Sequence, residues 1–183
     1  STDFVFGEGG PYDETVTPAP LNFYGQSKLI AEQLVLASNL QVAIVRPVFI
    51  YGKVLAGMPP TFLHWVKTNL DNKKPMKIVN DQQRTPTFVK DICEGIFLMI
   101  LKKVTGIFHL AGKDVLTPYT MATKLANLLY LDDTLIEPVM SATFAEPVQR
   151  AKKSGLKIDK AIKILGYNPV SFEEGVRLSF LNK

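Results

Sequence analysis

Ser1-Thr2-Asp3-Phe4-Val5-Phe6, followed across a Gly/Pro-rich acidic loop by Asn22-Phe23-Tyr24-Gly25-Gln26-Ser27-Lys28, is the stretch on which the fold turns. Residues 27–38 read as helix, so Tyr24 and Lys28, four positions apart, project from one face of its start. A phenol titrates near ~10, and an ammonium held beside it favours the phenolate and brings it within reach of neutral acid–base chemistry. Tyr24 is therefore a candidate proton donor or acceptor for a carbonyl or carbinol oxygen. Thr2, on a short apolar run expected to be strand-like and to end at Gly7, would orient the same oxygen through its hydroxyl. Among six tyrosines the Tyr-x-x-x-Lys spacing alone is a weak signal, and the strand–loop–helix context around it supplies the weight.

Outward from this segment the pattern is that of an α/β protein. Val42-Ala-Ile-Val-Arg46 is a continuous apolar run of the kind found in a buried parallel strand, and it ends in Arg46-Pro47-Val48-Phe49-Ile50-Tyr51-Gly52. Residues 59–72 read as an amphipathic helix with proline at its start, Phe62, Leu63, Val66 and Leu70 forming the buried stripe and His64 beside it. A strongly apolar helix is expected over 89–103, then a strand at 106–112. Thr117-Pro118 caps a further helix. In the tail Ile158, Ile162 and Leu165 are expected to be buried, with Gly166 stopping their helix.

Composition excludes several classes. The chain has 183 residues, 46% of them hydrophobic, enough for one sizeable core or two lobes sharing a cleft. No apolar run approaches the ~18–20 residues needed to cross a bilayer. The single cysteine, Cys93, rules out an internal disulfide and reads as a small buried hydrophobe in a cytoplasmic protein. His64 and His109 are the only histidines and lack partners at ligand spacing, so no metal site is expected. The net charge of +4 comes from dispersed lysine pairs, which argues against nucleic acid and membrane partners and suits an anionic small substrate.

With these residues in view, the chain resembles the extended short-chain dehydrogenase/reductase family. The wording Ser-Thr-Asp-Phe-Val-Phe … Pro-Ala-Pro-Leu-Asn-Phe-Tyr-Gly-Gln-Ser-Lys and the tail Arg150 … Ser154-Gly-Leu156 … Leu165-Gly166 are similar to its dTDP-4-dehydrorhamnose reductase branch. The resemblance implies a Rossmann-like parallel sheet with an interwoven, helix-rich substrate-binding lobe. Residues 1–52 and 88–112 would belong to the dinucleotide-binding domain, and 53–87 and 113–183 to the substrate lobe. It also implies Thr2, Tyr24 and Lys28 as catalytic residues, and NADP or NAD as cofactor against Tyr24, Lys28 and Pro47. Thr2, Phe49 and Arg84 would contact a nucleotide-sugar substrate. Phe49 stands where a tryptophan is usual in the branch, keeping an aromatic face without the indole donor. Arg84 stands where the branch usually has glycine. It matches instead the arginine that nucleotide-sugar epimerases and dehydratases place seven residues before the aspartate of a Val-x-Asp, here Asp91, and its guanidinium fork suits a diphosphate.

No Gly-x-Gly-x-x-Gly occurs, and Gly7, Gly9 and Gly10 read as turn residues before Pro11, so the resemblance covers the later part of a complete enzyme. An N-terminal cofactor-binding part is expected to precede it, and the chain alone is expected to bind dinucleotide weakly and to be inactive. The activity implied is NAD(P)H-dependent reduction of a nucleotide-linked 4-keto-6-deoxy sugar, as in rhamnose biosynthesis. A nucleotide-sugar epimerase or dehydratase is one alternative. A non-catalytic subunit of the same fold, like the regulatory subunit of methionine adenosyltransferase, is the other. A homodimer is left open.

Overall fold

The computed structural model of the chain describes residues 1–145 and 148–181. In order the elements are α1 (Phe23–Leu36), β1 (Ala43–Arg46), β2 (Ile50–Tyr51), α2 (Phe62–Asp71), β3 (Met76–Val79), β4 (Thr87–Phe88), α3 (Val89–Leu101), β5 (Gly106–His109), α4 (Pro118–Leu128), β6 (Ile136–Val139), α5 (Asp159–Leu165) and α6 (Phe172–Phe180). Each strand pair is parallel, which obliges long crossovers, and the helices supply them. β1 lies beside β5 with Ala43 opposite Gly106 and Arg46 opposite His109. β2 pairs with β4, and β3 with β6. This is the α/β arrangement that the apolar strand and helix periods imply, and the Rossmann-like one that the family resemblance implies.

Local chemistry explains the helix boundaries. Asn22 caps α1, its Oδ1 accepting the Gly25 N–H at 2.9 Å, and Thr117 caps α4 through the Thr120 N–H at 3.1 Å with Pro118 at the first helical position. α5 ends at Gly166, whose φ of 76° is the left-handed conformation that closes a helix at low cost to glycine. The buried stripe of α2 is Leu63, Val66 and Leu70, with Phe62 half-buried beside it.

Two apolar cores result. One gathers Leu63, Val66, Met76, Ile78, Met121, Leu125, Phe172 and Val176 from α2, β3, α4 and α6. The other gathers Val5, Phe6, Val48, Met99, Phe108 and Leu110 around β1 and β5. Leu156, Ile158, Ala161, Leu165 and Tyr167 join this second core, so the stretch 156–167 packs with the β1–β5 pair.

Three expectations are corrected. The run after Thr2 is not a strand: Asp3–Val5 forms a turn of 3₁₀-helix, because the Thr2 hydroxyl accepts the Phe4 N–H and satisfies locally a donor that a sheet would have used. Ile162 is 50% exposed, and Ala161 takes the buried position on α5. Cys93 is exposed, since α3 is apolar on nearly every side and docks through Ile92, Gly95 and Met99. A leucine side chain, that of Leu110, lies 2.7 Å from where a Cβ on Gly95 would sit, so glycine there sets how closely α3 approaches β5.

Asp91, in the first turn of α3, is buried and accepts the Val170 N–H at 3.2 Å. Burial pushes its carboxyl up to about 6, against the Val170 hydrogen bond, and the nearby Glu94 adds to the rise. Because the folded value lies above the unfolded one, the native chain keeps a proton that the unfolded chain releases, and stability falls as pH rises from about 4 to about 6. Asp91→Asn retains an acceptor for Val170 and removes the charge. It should stabilise the fold by about 1–2 kcal/mol at pH 7.5 and not at pH 4. Urea titrations at the two pH values check this; equal stability of variant and parent at pH 7.5 would contradict it.

Candidate active site

The Asn22 cap and Gly25 decide where the tyrosine sits. A Cβ on Gly25 would lie 2.1 Å from the Phe4 carbonyl oxygen, so only glycine lets the first turn of α1 rest on the Asp3–Val5 turn. Tyr24 is thereby set edge-on to the Phe4 ring, centroids 5.6 Å apart at 82°. One helical turn on, the Lys28 ammonium lies 5.7 Å from the centre of the Tyr24 ring. Tyr24 is 50% exposed, open to a molecule arriving from solvent.

Phe4 also lines a cavity of about 390 Å³. Its walls carry Asp3, Val48 and Phe49 from the β1 end, Phe62 and Trp65 from α2, Lys77, Ile78 and Val79 from β3, and Gln82, Arg84, Pro118, Phe144 and Arg150. Phe49 and Arg84 thus share one cavity, and Tyr24 and Lys28 share one helix face whose neighbour, Phe4, belongs to that cavity. Pro47 is half-buried, and its carbonyl accepts the Asp3 N–H at 3.2 Å, fastening the N-terminal turn to the end of β1. Thr2 has its hydroxyl engaged by its own neighbours in the chain. It is 7% exposed, accepts the Phe4 N–H and donates to Asp3 Oδ1 at 3.2 Å, so it meets the cavity through Asp3.

The backbone is strained where it enters this site. Phe49 has φ of 39°, uncommon for a bulky residue, and is held there by its neighbours: its carbonyl accepts the Thr87 N–H at 3.1 Å, and the Thr87 hydroxyl donates to the Val48 carbonyl at 2.6 Å. Arg84 is 6% exposed, donating to the Gln83 carbonyl at 2.6 Å and to Gln82 Oε1 at 3.1 Å, which fixes its guanidinium on the cavity wall.

Sequence reasoning missed Asp3, Gln82 and Trp65. Asp3 is 5% exposed; burial pushes its carboxyl up, opposed by the Ser154 hydroxyl at 2.8 Å and by the charge of Arg84. An acid inside an otherwise apolar run was the available signal for it. Its partner, 151 residues away, was not readable. The tail that carries Ser154 is clamped by Glu8, whose carboxylate accepts the Lys152 and Lys153 N–H groups at 2.6 and 3.1 Å. His64 bonds Thr61 at 2.8 Å, and His109 is fully buried beside Arg46. Among the described residues no group of three or more His, Cys, Asp or Glu side chains is placed to hold a metal, and no helix is long and apolar enough to cross a membrane.

Parallel strands crossed by helices, with a Tyr/Lys pair on the helix beside the strand-end cavity, define the class of extended short-chain dehydrogenases/reductases. Within that class the chain belongs to the RmlD substrate-binding domain family, whose model matches residues 1–182. It is 32% identical to the probable low-salt glycan biosynthesis reductase Agl14 of Haloferax volcanii, over 95% of this chain and 59% of that protein. It is also 32% identical to methionine adenosyltransferase 2 subunit beta of Mus musculus, over 98% of this chain and 55% of that protein. The fold superposes on the dTDP-4-dehydrorhamnose reductase of Bacillus anthracis, crystallised in complex with NADP, with a TM-score of 0.90 at 28% identity, over 100% of this chain and 64% of that one. The chain therefore spans between half and two-thirds of the length of these relatives.

Proposed function

We propose that the chain is the catalytic-segment and substrate-binding portion of an NAD(P)H-dependent reductase acting on a nucleotide-linked 4-keto-6-deoxy sugar. The observation that carries this reading is the Tyr24–Lys28 pair set against Phe4, a residue that also walls the cavity holding Phe49 and Arg84. In this reading residues 1–52 and 88–112, with 156–167 packed on them, complete a dinucleotide-binding domain, and the rest forms the substrate lobe.

Tyr24 delivers a proton to the carbonyl oxygen of the sugar, and Lys28 steadies the tyrosine and donates to a ribose hydroxyl. Thr2 acts by holding Asp3, a residue that lines the cavity with Phe4. Arg84, pinned by Gln82 and Gln83, meets the diphosphate with a fork already oriented, so little rotamer entropy is lost on binding. The residues present fit the nicotinamide–ribose end of a dinucleotide: Lys28 lies beside Tyr24 on one face of α1, and the Pro47 carbonyl is tied to the Asp3 N–H in the turn on which α1 rests. When bound, NADPH or NADH supplies the hydride.

The test is an assay of the complete protein with a dTDP-4-keto-6-deoxyhexose and NADPH or NADH. One reduced nicotinamide consumed per sugar reduced is expected. Interconversion of sugars without net consumption would assign an epimerase, the alternative that Arg84 favours. The likeness to methionine adenosyltransferase 2 subunit beta favours a second reading, a binding subunit, for which the sugar nucleotide would bind without turnover.

A further inference from the structure

Trp65 is the single tryptophan of the chain, and it lies one turn into α2 on the cavity wall. Its backbone N–H donates to the Thr61 carbonyl at 3.0 Å and its carbonyl accepts from Asn69 Nδ2 at 2.8 Å, so the helix fixes its position. Phe62 stacks against the indole, centroids 6.1 Å apart at 27°, and Phe62 is braced edge-on by Phe49 at 5.5 Å. Three rings thus form a shelf leading from Phe49 at the strand end, in the cavity that Phe4 also lines, out along α2. Phe62 covers one side of the indole, yet Trp65 remains 45% exposed. An indole held by a stacked neighbour and still open to a concave wall is suited to receive a flat ring, because it offers a π-face whose conformational freedom is already lost.

We propose that Trp65 is the stacking platform for the nucleobase of the substrate, with the diphosphate beside Arg84 and Arg150 and the sugar directed toward Phe4 and Tyr24. The inference rests on reading the cavity as a nucleotide-sugar site, and it adds a specificity-determining residue that the strand-end motif does not contain. The order of groups follows from the wall. The reacting carbonyl must lie at the Tyr24 end, the guanidinium groups match the anion, and the outer ring of the shelf is left for the base. Stacking of this kind tolerates either pyrimidine, so Trp65 sets affinity for a nucleoside diphosphate over a bare sugar phosphate and does not choose uracil from thymine.

The probe is dTDP, titrated into the protein by calorimetry and by Trp65 fluorescence, with inorganic pyrophosphate as the comparison. Expected is quenching of Trp65 by dTDP, competition without quenching by pyrophosphate, and a loss of about tenfold to a hundredfold in dTDP affinity in Trp65→Ala. Trp65→Phe should restore most of that affinity, and pyrophosphate affinity should be unchanged in both variants. A purely structural tryptophan would lower thermal stability without separating the two ligands. If wild type binds dTDP while Trp65→Ala, folded by circular dichroism, binds it within twofold, the platform is refuted and the nucleotide-sugar reading stands. If wild type binds neither dTDP nor the sugar nucleotide, that reading falls and takes the platform with it.

Discussion

Turnover of the complete protein carrying Tyr24→Phe is expected to fall by at least about a thousandfold, with substrate affinity within twofold of the parent. The substitution removes one oxygen and leaves the ring. The edge contact to Phe4 and the position of Lys28 over the ring depend on the aromatic face, so the architecture around the cavity survives. What is lost is the phenol that the proposed mechanism uses to exchange a proton with the substrate oxygen, and an interaction used only in the transition state lowers kcat without raising KM. Lys28→Met should act on both kcat and KM, because the proposed mechanism uses its ammonium for the tyrosine and for the cofactor ribose together. Single-turnover and steady-state rates separate these outcomes. Tyr24→Phe within twofold of the parent in kcat would remove Tyr24 from the chemistry and would favour the binding-subunit reading.

What could be read in the chain beforehand was what is local. The Tyr24–Lys28 face, the β1 run, the Leu63/Val66/Leu70 stripe and the Gly166 stop each depend on neighbours within one or two turns, and each is present. What escaped depends on distant partners. Asp3 is buried against Ser154, Trp65 becomes a wall only when β3, Phe144 and Arg150 close the cavity, and Cys93 is exposed because of which side of α3 meets Leu110. Thr2 shows how a local effect can also mislead. Apolar residues after it suggest a strand, and a hydroxyl that caps the next turn makes a 3₁₀-helix of them.

The largest stability effect is expected at Arg46, an arginine ending an apolar strand, which should have signalled a buried partner. It is 2% exposed and holds Glu32, 4% exposed, through Nε at 2.8 Å and Nη2 at 2.5 Å, while its guanidinium lies 5.0 Å from the Phe6 ring centre and Nη1 is 3.4 Å from His109 Nε2. Glu32 is, with Gly25, one of two buried residues of α1, four positions beyond Lys28 on the same face, so this pair seats α1 on β1. Burial alone would raise the Glu32 carboxyl, and the bonds from Arg46 and Ser1 outweigh it and hold it below the usual carboxylate range. Arg46→Met strands that carboxylate and should cost roughly 3–5 kcal/mol at pH 7, whereas Arg46→Met with Glu32→Leu should recover most of the loss. Because the folded value of Glu32 is depressed, its contribution is present above the unfolded value near ~4.3 and is lost as pH falls through the folded one. The gap between parent and Arg46→Met must therefore narrow in acid. Denaturant titrations at pH 7 and pH 3.5 decide it, since a gap that is small at pH 7, or that widens in acid, would mean that apolar packing and not the ion pair seats α1.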